Sequence, residues 1–206
     1  ERTRPSVPAV AATPGRGPAS EVAGPRYPGR KSGYVIRNFG DPVLNRVAED
    51  VADIDGDLVN TCNRMLEAMY DAPGIGLAAP QVGISRRYFV YDYGDGPQVH
   101  INPVIVESDG EWEYEEGCLS VPGLTWNIVR PKQIHIVGFD LAGNEQSIEA
   151  DEIEARLYQH ELDHLDGKLL FDYLEDHEVK EAKRILRQRA MNVEHDAPDA
   201  SGLRLP

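Results

Sequence analysis

The run Gln159-His160-Glu161-Leu162-Asp163-His164-Leu165-Asp166-Gly167 sets two imidazoles and a carboxylate at a spacing that suits hydrolysis on a metal ion. On a helix, positions i and i+4 lie roughly 40° apart, so His160 and His164 can converge on one ion. Glu161 then projects beside it, placed to act as acid and base. The alternative is a pair of core histidines satisfied by backbone partners, since a five-residue pattern also arises by chance. A third ligand decides between them. Cys118, in Glu115-Glu116-Gly117-Cys118-Leu119-Ser120, reads alone as a small buried hydrophobe in a turn-like segment. With the histidines it completes a Cys/His/His set that leaves a fourth tetrahedral position for water.

These groups need elements to hold them. The histidine helix is expected over about residues 152 to 166, with Asp151 and Glu154 as an N-terminal capping pair and Gly167 as the stop. Ile153, Leu157, His160 and His164 share one stripe, so the histidines face inward. Strand patterns run over about 86 to 92, 98 to 106, 111 to 114, 133 to 140 and 145 to 149, separated by glycine turns. They predict an antiparallel sheet with the histidine helix packed on it. An earlier helix carries Leu58, Cys62, Met65, Leu66 and Met69 at helical spacing, which makes Cys62 a packing residue. Between that helix and the first strand lies Pro73-Gly74-Ile75-Gly76-Leu77-Ala78-Ala79-Pro80-Gln81-Val82-Gly83. It lacks the Lys-Ser/Thr ending of a phosphate loop; its small residues admit a ligand close to the backbone, and Gln81 offers a neutral donor and acceptor.

A chain of 206 residues with 41% hydrophobic content supports one domain with a substantial core. Residues 1–32, rich in Pro, Gly and Arg, read as a flexible tail, 33–191 as the catalytic domain with a C-terminal helix, and 192–206 as a second tail. No run reaches the roughly 18 apolar residues of a membrane span, and no segment has the order of a secretory signal, so a soluble, cytoplasmic protein with no membrane partner is expected. Two cysteines do not make a disulfide framework. The net charge of −14 speaks against general nucleic-acid affinity.

Three segments taken together, Gly74-Ile75-Gly76-Leu77-Ala78-Ala79-Pro80-Gln81, Glu116-Gly117-Cys118-Leu119-Ser120 and Gln159-His160-Glu161-Leu162-Asp163-His164, resemble the peptide deformylase family of bacteria, over roughly residues 34 to 175. The resemblance implies an α+β fold with antiparallel sheets around a central metal helix. It also implies removal of the N-formyl group from the initiator methionine of nascent polypeptides. Carried over residue by residue, it makes Cys118, His160 and His164 the metal ligands and Glu161 the acid/base, with Gln81 and the backbone N–H of Leu119 stabilising the oxyanion. It implies ferrous iron, with zinc, nickel or cobalt able to take the same site. Ile75, Tyr114, Ile153, Leu157 and His160 correspond to the methionine side-chain pocket, and Gly74 and Gly76 to backbone that pairs with an extended substrate. Arg156 stands where an apolar wall residue is expected, and snorkelling to solvent would explain it. Arg130 is expected at Glu115 or Glu116, or on the surface.

Two rival classes share parts of this pattern. A zinc endopeptidase also carries His-Glu-x-x-His, but Leu170 stands where the metzincin motif has its third histidine; a thermolysin-like protease would instead take a glutamate from a later helix, for which Glu178 and Glu181 are the candidates. A non-catalytic binding protein on the same fold gains nothing from Glu161. Further on, Lys180, Lys183, Arg184, Arg187 and Arg189 face Glu181 alone between residues 180 and 189, a basic stretch in an acidic chain. It reads either as a solvated helix paired with Glu175, Asp176 and Glu178, or as a surface for ribosomal RNA phosphates.

Overall fold

Leu58, Cys62, Met65, Leu66 and Met69 recur at helical spacing and lie on α1 (Gly56–Asp71), the last four buried. Its first turn is closed by Asp55, whose carboxylate accepts from the Leu58 amide at 2.8 Å. Burial pushes the Cys62 thiol up to about 12, so it packs as a neutral hydrophobe. In this computed structural model the described residues are Ala11–Ala12 and 33–196. The expected tails thus lie outside them, apart from Ala11–Ala12, which pair in parallel with Asp53–Ile54, and the end of the last helix.

A five-stranded sheet holds β1 (Gly76–Ala78), β2 (Tyr88–Tyr91), β3 (Gln98–Asp109), β6 (Gln133–Phe139) and β7 (Glu145–Asp151), side by side in that order. Every pairing is antiparallel. Strand β2 is buried on both faces because helices cover both. Val90 faces the cluster of α1 with Met65, Met69 and Leu77, whereas Phe89 and Tyr91 face Tyr158 and Leu165 of α2 (Glu152–Leu165). Each fully buried Leu, Phe or Met contributes about 1.5–3 kcal/mol of transfer free energy.

The second sheet is a hairpin that the sequence patterns only half revealed. Strand β4 (Trp112–Cys118) pairs with β5 (Val121–Arg130), with a register shift between Gly117 and Cys118. Cys118 thus ends a strand instead of lying in a loop. The β5 strand was not predicted at all, because Pro122, Gly123 and Asn127 read as turn formers.

The joint between β7 and α2 aims the histidines. Asp151 is still paired with Gln133 when Glu152, at φ 46°, turns the chain into the helix, its amide donating to the Lys132 carbonyl at 2.9 Å. The predicted capping pair does not form: Asp151 holds no amide with its side chain, and Glu154 instead accepts from the Tyr158 hydroxyl at 2.8 Å. The far end behaves as expected. The Asp166 amide bonds back to Leu162 at 2.9 Å and Gly167 takes φ 73°. A Cβ on Gly167 would lie 2.9 Å from the backbone of Asn45 and Arg46, so glycine is required there for space as well as conformation.

Contacts divide the chain into residues 1–169 and 170–206. The second unit contains α3 (Asp176–Asp196). Arg184 pairs there with Glu181, its Nε at 2.8 Å, and donates from Nη1 to the side-chain oxygen Oε1 of Gln188 at 3.0 Å, while Glu178 accepts from the Glu175 amide. The Arg184 pairing is therefore with the local Glu181, a turn away, and not with the three acids at the helix start. Among the described residues no helix is long and apolar enough to cross a membrane.

Candidate metal centre

Helix α2 presents His160 and His164 one turn apart, with ring centroids 5.0 Å apart and planes at 81°. The end of β4 brings Cys118 to them, its Sγ 3.2 Å from His164 Nε2. One donor atom from each of the three residues lies within 4.8 Å of the others. His160 Nδ1 is engaged with Glu116 Oε2 at 3.1 Å, which leaves Nε2 for an ion. Burial opposes ionisation of Cys118, but His164 and His160 outweigh it and hold the thiol well below its usual range. Burial likewise opposes charge on His160, and Cys118 and Glu116 reverse this and raise it well above. A thiolate beside two imidazoles is a soft, anionic donor set that fits a first-row divalent cation and not magnesium or calcium.

Glu161 sits beside this set on the same helix, 3% exposed, with Oε2 free of any hydrogen-bond partner. Burial raises its carboxyl to about 7, against the pull of both histidines and the Ala78 backbone and with a further push from Cys118. Such a carboxyl exchanges protons at neutral pH. Gly76 makes this packing possible, because a Cβ there would collide with Glu161 Oε1 and come within 2.5 Å of Leu157 Cδ1.

Gln81 is fixed in one orientation. Its Oε1 accepts from the Ala78 amide at 2.8 Å, so Nε2 faces the centre, 3.2 Å from Ser120 Oγ and 3.8 Å from Cys118 Sγ. The loop carrying it is not irregular: β1 runs straight into a short 3-10 turn, Ala79–Val82. Leu119 forms the turn between β4 and β5. A cleft of about 640 Å³ opens over these groups, lined among others by Gly74, Ile75, Tyr114, Ile153, Leu157 and Leu119. Gly74, Ile75, Gly76, Gln81, Tyr114, Cys118, Leu119, Ile153, Leu157, His160 and Glu161, the site residues read from sequence, all line this cleft, and His164 completes the donor set.

Arg156 overturns the expectation of solvent, and Arg130 takes the Glu116 alternative among those the sequence left open. Arg156 is 4% exposed; it donates from Nη1 to Glu116 Oε1 and to the Ile128 carbonyl at 3.0 Å, and from Nη2 to the Trp112 carbonyl at 2.5 Å. Arg130, 3% exposed, grips Glu116 through Nε at 2.6 Å and Nη2 at 3.0 Å and reaches Asp163 Oδ2 at 2.8 Å. Glu115 takes the Thr125 hydroxyl instead. The cause is the strand period: Glu116 and Cys118 share the inner face of β4, and Glu115 the outer. Sequence reasoning offered Glu116 as a partner for Arg130 but missed its contacts with Arg156 and His160, and the part of Asp163, although two signals were present. Glu116 is two residues before Cys118 on a strand, and Arg156 is four before His160 on a helix.

The wider comparisons agree with this geometry. A family model described as Polypeptide deformylase matches residues 34–180. A peptide deformylase of Clostridium botulinum is 50% identical over 137 residues, 66% of this chain and 93% of its own length. Among solved structures, a peptide deformylase from Legionella pneumophila aligns with TM-score 0.76 at 38% identity, over 80% of this chain and 99% of that one. One from Synechococcus elongatus in complex with actinonin aligns with TM-score 0.72 at 38% identity, over 78% and 89%. The three donors, the poised carboxyl and the matching family together make the chain a metal-dependent hydrolase that belongs to the polypeptide deformylase family.

Proposed function

We propose that this enzyme removes the formyl group from the amino-terminal methionine of nascent polypeptides, with Cys118, His160 and His164 as ligands of ferrous iron. The buried, unpartnered Glu161 carboxylate beside that donor set is the observation that carries the reading. When bound, a divalent ion supplies Lewis acidity and makes water nucleophilic at neutral pH. Glu161 accepts the proton of the attacking water at Oε2 and passes it to the departing amine. Charge growing on the formyl oxygen meets two donors already in place, Gln81 Nε2 and the Leu119 amide. Ala78 holds the Gln81 side chain in that pose, so no reorganisation is needed during reaction. The methionine side chain lies against Ile75, Tyr114, Ile153, Leu157 and the flank of His160, and Gly74 and Gly76 leave backbone for an extended peptide to pair with. Formate and a free amine result.

Thiolate ligation favours iron or zinc among biological divalent ions; zinc, nickel and cobalt suit the same donors. The third ligand comes from a hairpin strand through sulfur, which argues against an endopeptidase that takes a carboxylate from a later helix. Residues 33–191 serve as the catalytic domain, in keeping with the family match over 34–180. The enzyme works in the cytoplasm, and the exposed cations of α3 contact ribosomal RNA phosphates while peptides emerge. The test is Glu161→Ala with anaerobic metal analysis and formate release from a formyl-Met peptide. Metal content should hold while turnover falls by about 10²–10⁴; near-normal turnover would remove Glu161 from its role. Reversing Arg184 and Arg187 to Glu should weaken ribosome binding and flatten its salt dependence, with peptide turnover unchanged. Binding indifferent to charge and salt would reject that contact.

A further inference from the structure

Arg156 occupies a position where an apolar side chain would build the pocket wall more cheaply. It lines the cleft and is 4% exposed, its guanidinium stands over the rings of Trp112 at 5.0 Å and Tyr114 at 5.7 Å, and its buried Nε has no hydrogen-bond partner. A buried cation with an unsatisfied donor is costly, so its retention calls for a use. Neutralising Glu116 is not that use, because Arg130 already holds both carboxylate oxygens, at 2.6 and 3.0 Å. What Arg156 adds is direction. Its Nη1 joins Arg130 Nε on Glu116 Oε1, which leaves Oε2 to be shared between Arg130 Nη2 and His160 Nδ1. With Oε2 as acceptor, His160 carries its proton on Nδ1 and offers the Nε2 lone pair inward.

We infer that Arg156 is a positioning residue of the metal centre: by fixing Glu116 against the backbone of both hairpin strands, it sets the orientation and tautomer of His160. This rests on the ligand assignment above. Its bonds to the Trp112 carbonyl of β4 and the Ile128 carbonyl of β5 anchor the guanidinium at two further points. The pocket wall at Tyr114 and the ligand at His160 are therefore braced by one side chain. It lies one helical turn before that ligand on α2, so one side chain ties helix, hairpin and histidine together.

The experiment loads the full chain with Co²⁺ and follows its visible ligand-field absorption, its release to a chelator, and urea unfolding. The chains compared are wild type, Arg156→Gln, Arg156→Lys, Glu116→Gln and the double variant Arg156→Gln/Glu116→Gln. Arg156→Gln should speed release by about tenfold and shift the absorption. On top of Glu116→Gln it should add no more than about twofold, since the effect passes through that carboxylate. Arg156→Lys, which keeps the charge without the planar fork, should release the ion faster than wild type at a near-normal urea midpoint, and this arm stands if the glutamine variant does not fold. Equal acceleration of release by Arg156→Gln in both backgrounds, or wild-type release from Arg156→Lys, would overturn the proposal and leave Arg156 a clamp on the hairpin. Failure of the wild-type chain to hold Co²⁺ through Cys118 would instead overturn the ligand assignment itself.

Discussion

Helix α2 separates two regions built on opposite principles. On one side Phe89, Ile134 and Ile136 of the five-stranded sheet meet Tyr158 and Leu165 of the helix, an interface of apolar contact with tilted and edge-on rings. On the other, the β4–β5 hairpin meets it through Arg130, Arg156, Glu116 and Asp163, a buried ionic lattice. Apolar packing is tolerant in direction and strong in sum; paired charges demand exact partners and lose much when one is removed. Glu161 and Gln81, the proposed base and oxyanion donor, belong with the first region, and Cys118 with the second. The donor set thus spans a seam between a robust half and a directional half.

Removing a ligand breaks the comparison most completely. Cys118→Ala should abolish tight metal binding and turnover together while the sheet core stays folded, read by metal analysis and circular dichroism; retained stoichiometric metal would show that the hairpin is dispensable. Next in size, Arg130→Met takes one of two guanidinium partners from Glu116 and an ion pair from Asp163, and should cost about 3–5 kcal/mol in urea unfolding. In this variant metal should leave at lower urea than the sheet unfolds. The contrasting change, Ile136→Ala in the apolar half, should cost about 2–5 kcal/mol, with metal loss and unfolding coincident. If both variants lose metal and fold in one step, the two halves are energetically a single unit.

His100 sharpens the contrast, because it is an ionisable group placed in the apolar half. It is wholly buried, stacked on Phe89 at 5.6 Å, and neither ring nitrogen makes a hydrogen bond of ordinary geometry. Burial lowers its pKa to about 4, only partly opposed by the backbone of Val137. Since the folded pKa lies below the unfolded one, the unfolded chain binds more protons between about pH 6.5 and 4. Stability is full above pH 6.5 and falls with acidity through that window, by about 1.4 kcal/mol per unit. Comparing urea midpoints of wild type and His100→Gln across pH 4–7 checks this, and identical slopes would assign the acid sensitivity elsewhere. The smallest effect concerns fit alone. Gly76→Ala should lower turnover by about 10²-fold or less by displacing Glu161, at nearly constant metal content; unchanged kcat would mean that the carboxyl has room to spare.

The same division explains what the sequence disclosed. All three helices and the strands near 86–92, 98–106, 133–140 and 145–149 are visible in the sequence because one-sided or two-sided apolar burial writes a period into the chain. The hairpin lacks such a period. Strand β4 carries Glu113, Tyr114, Glu115 and Glu116, and β5 opens with Pro122-Gly123, so local preference pointed to turns until pairing overrode it. His160, Glu161 and His164 were legible from spacing within one helix. Cys118 became legible only in combination with them. For Arg130 the sequence offers Glu115, Glu116 or solvent, and the fold selects Glu116; Arg156, read as snorkelling to solvent, is instead buried, because an arginine's partner depends on which strand face the fold brings opposite, and nothing local encodes that.

The joint at Glu152 acts as the indexing tooth of the molecule. Because Asp151 is still locked in register with Gln133 and the chain turns into helix at the next residue, sheet registration fixes the angular phase of α2. A single residue inserted between Asp151 and Ile153 would rotate everything after it by about 100° relative to the sheet. His160, Glu161 and His164 would swing away from Cys118 together, their spacing to one another intact. Length variation in this family should therefore be absorbed in hairpin turns and loops, and the strand-to-helix joint should hold its residue count even where its residues change.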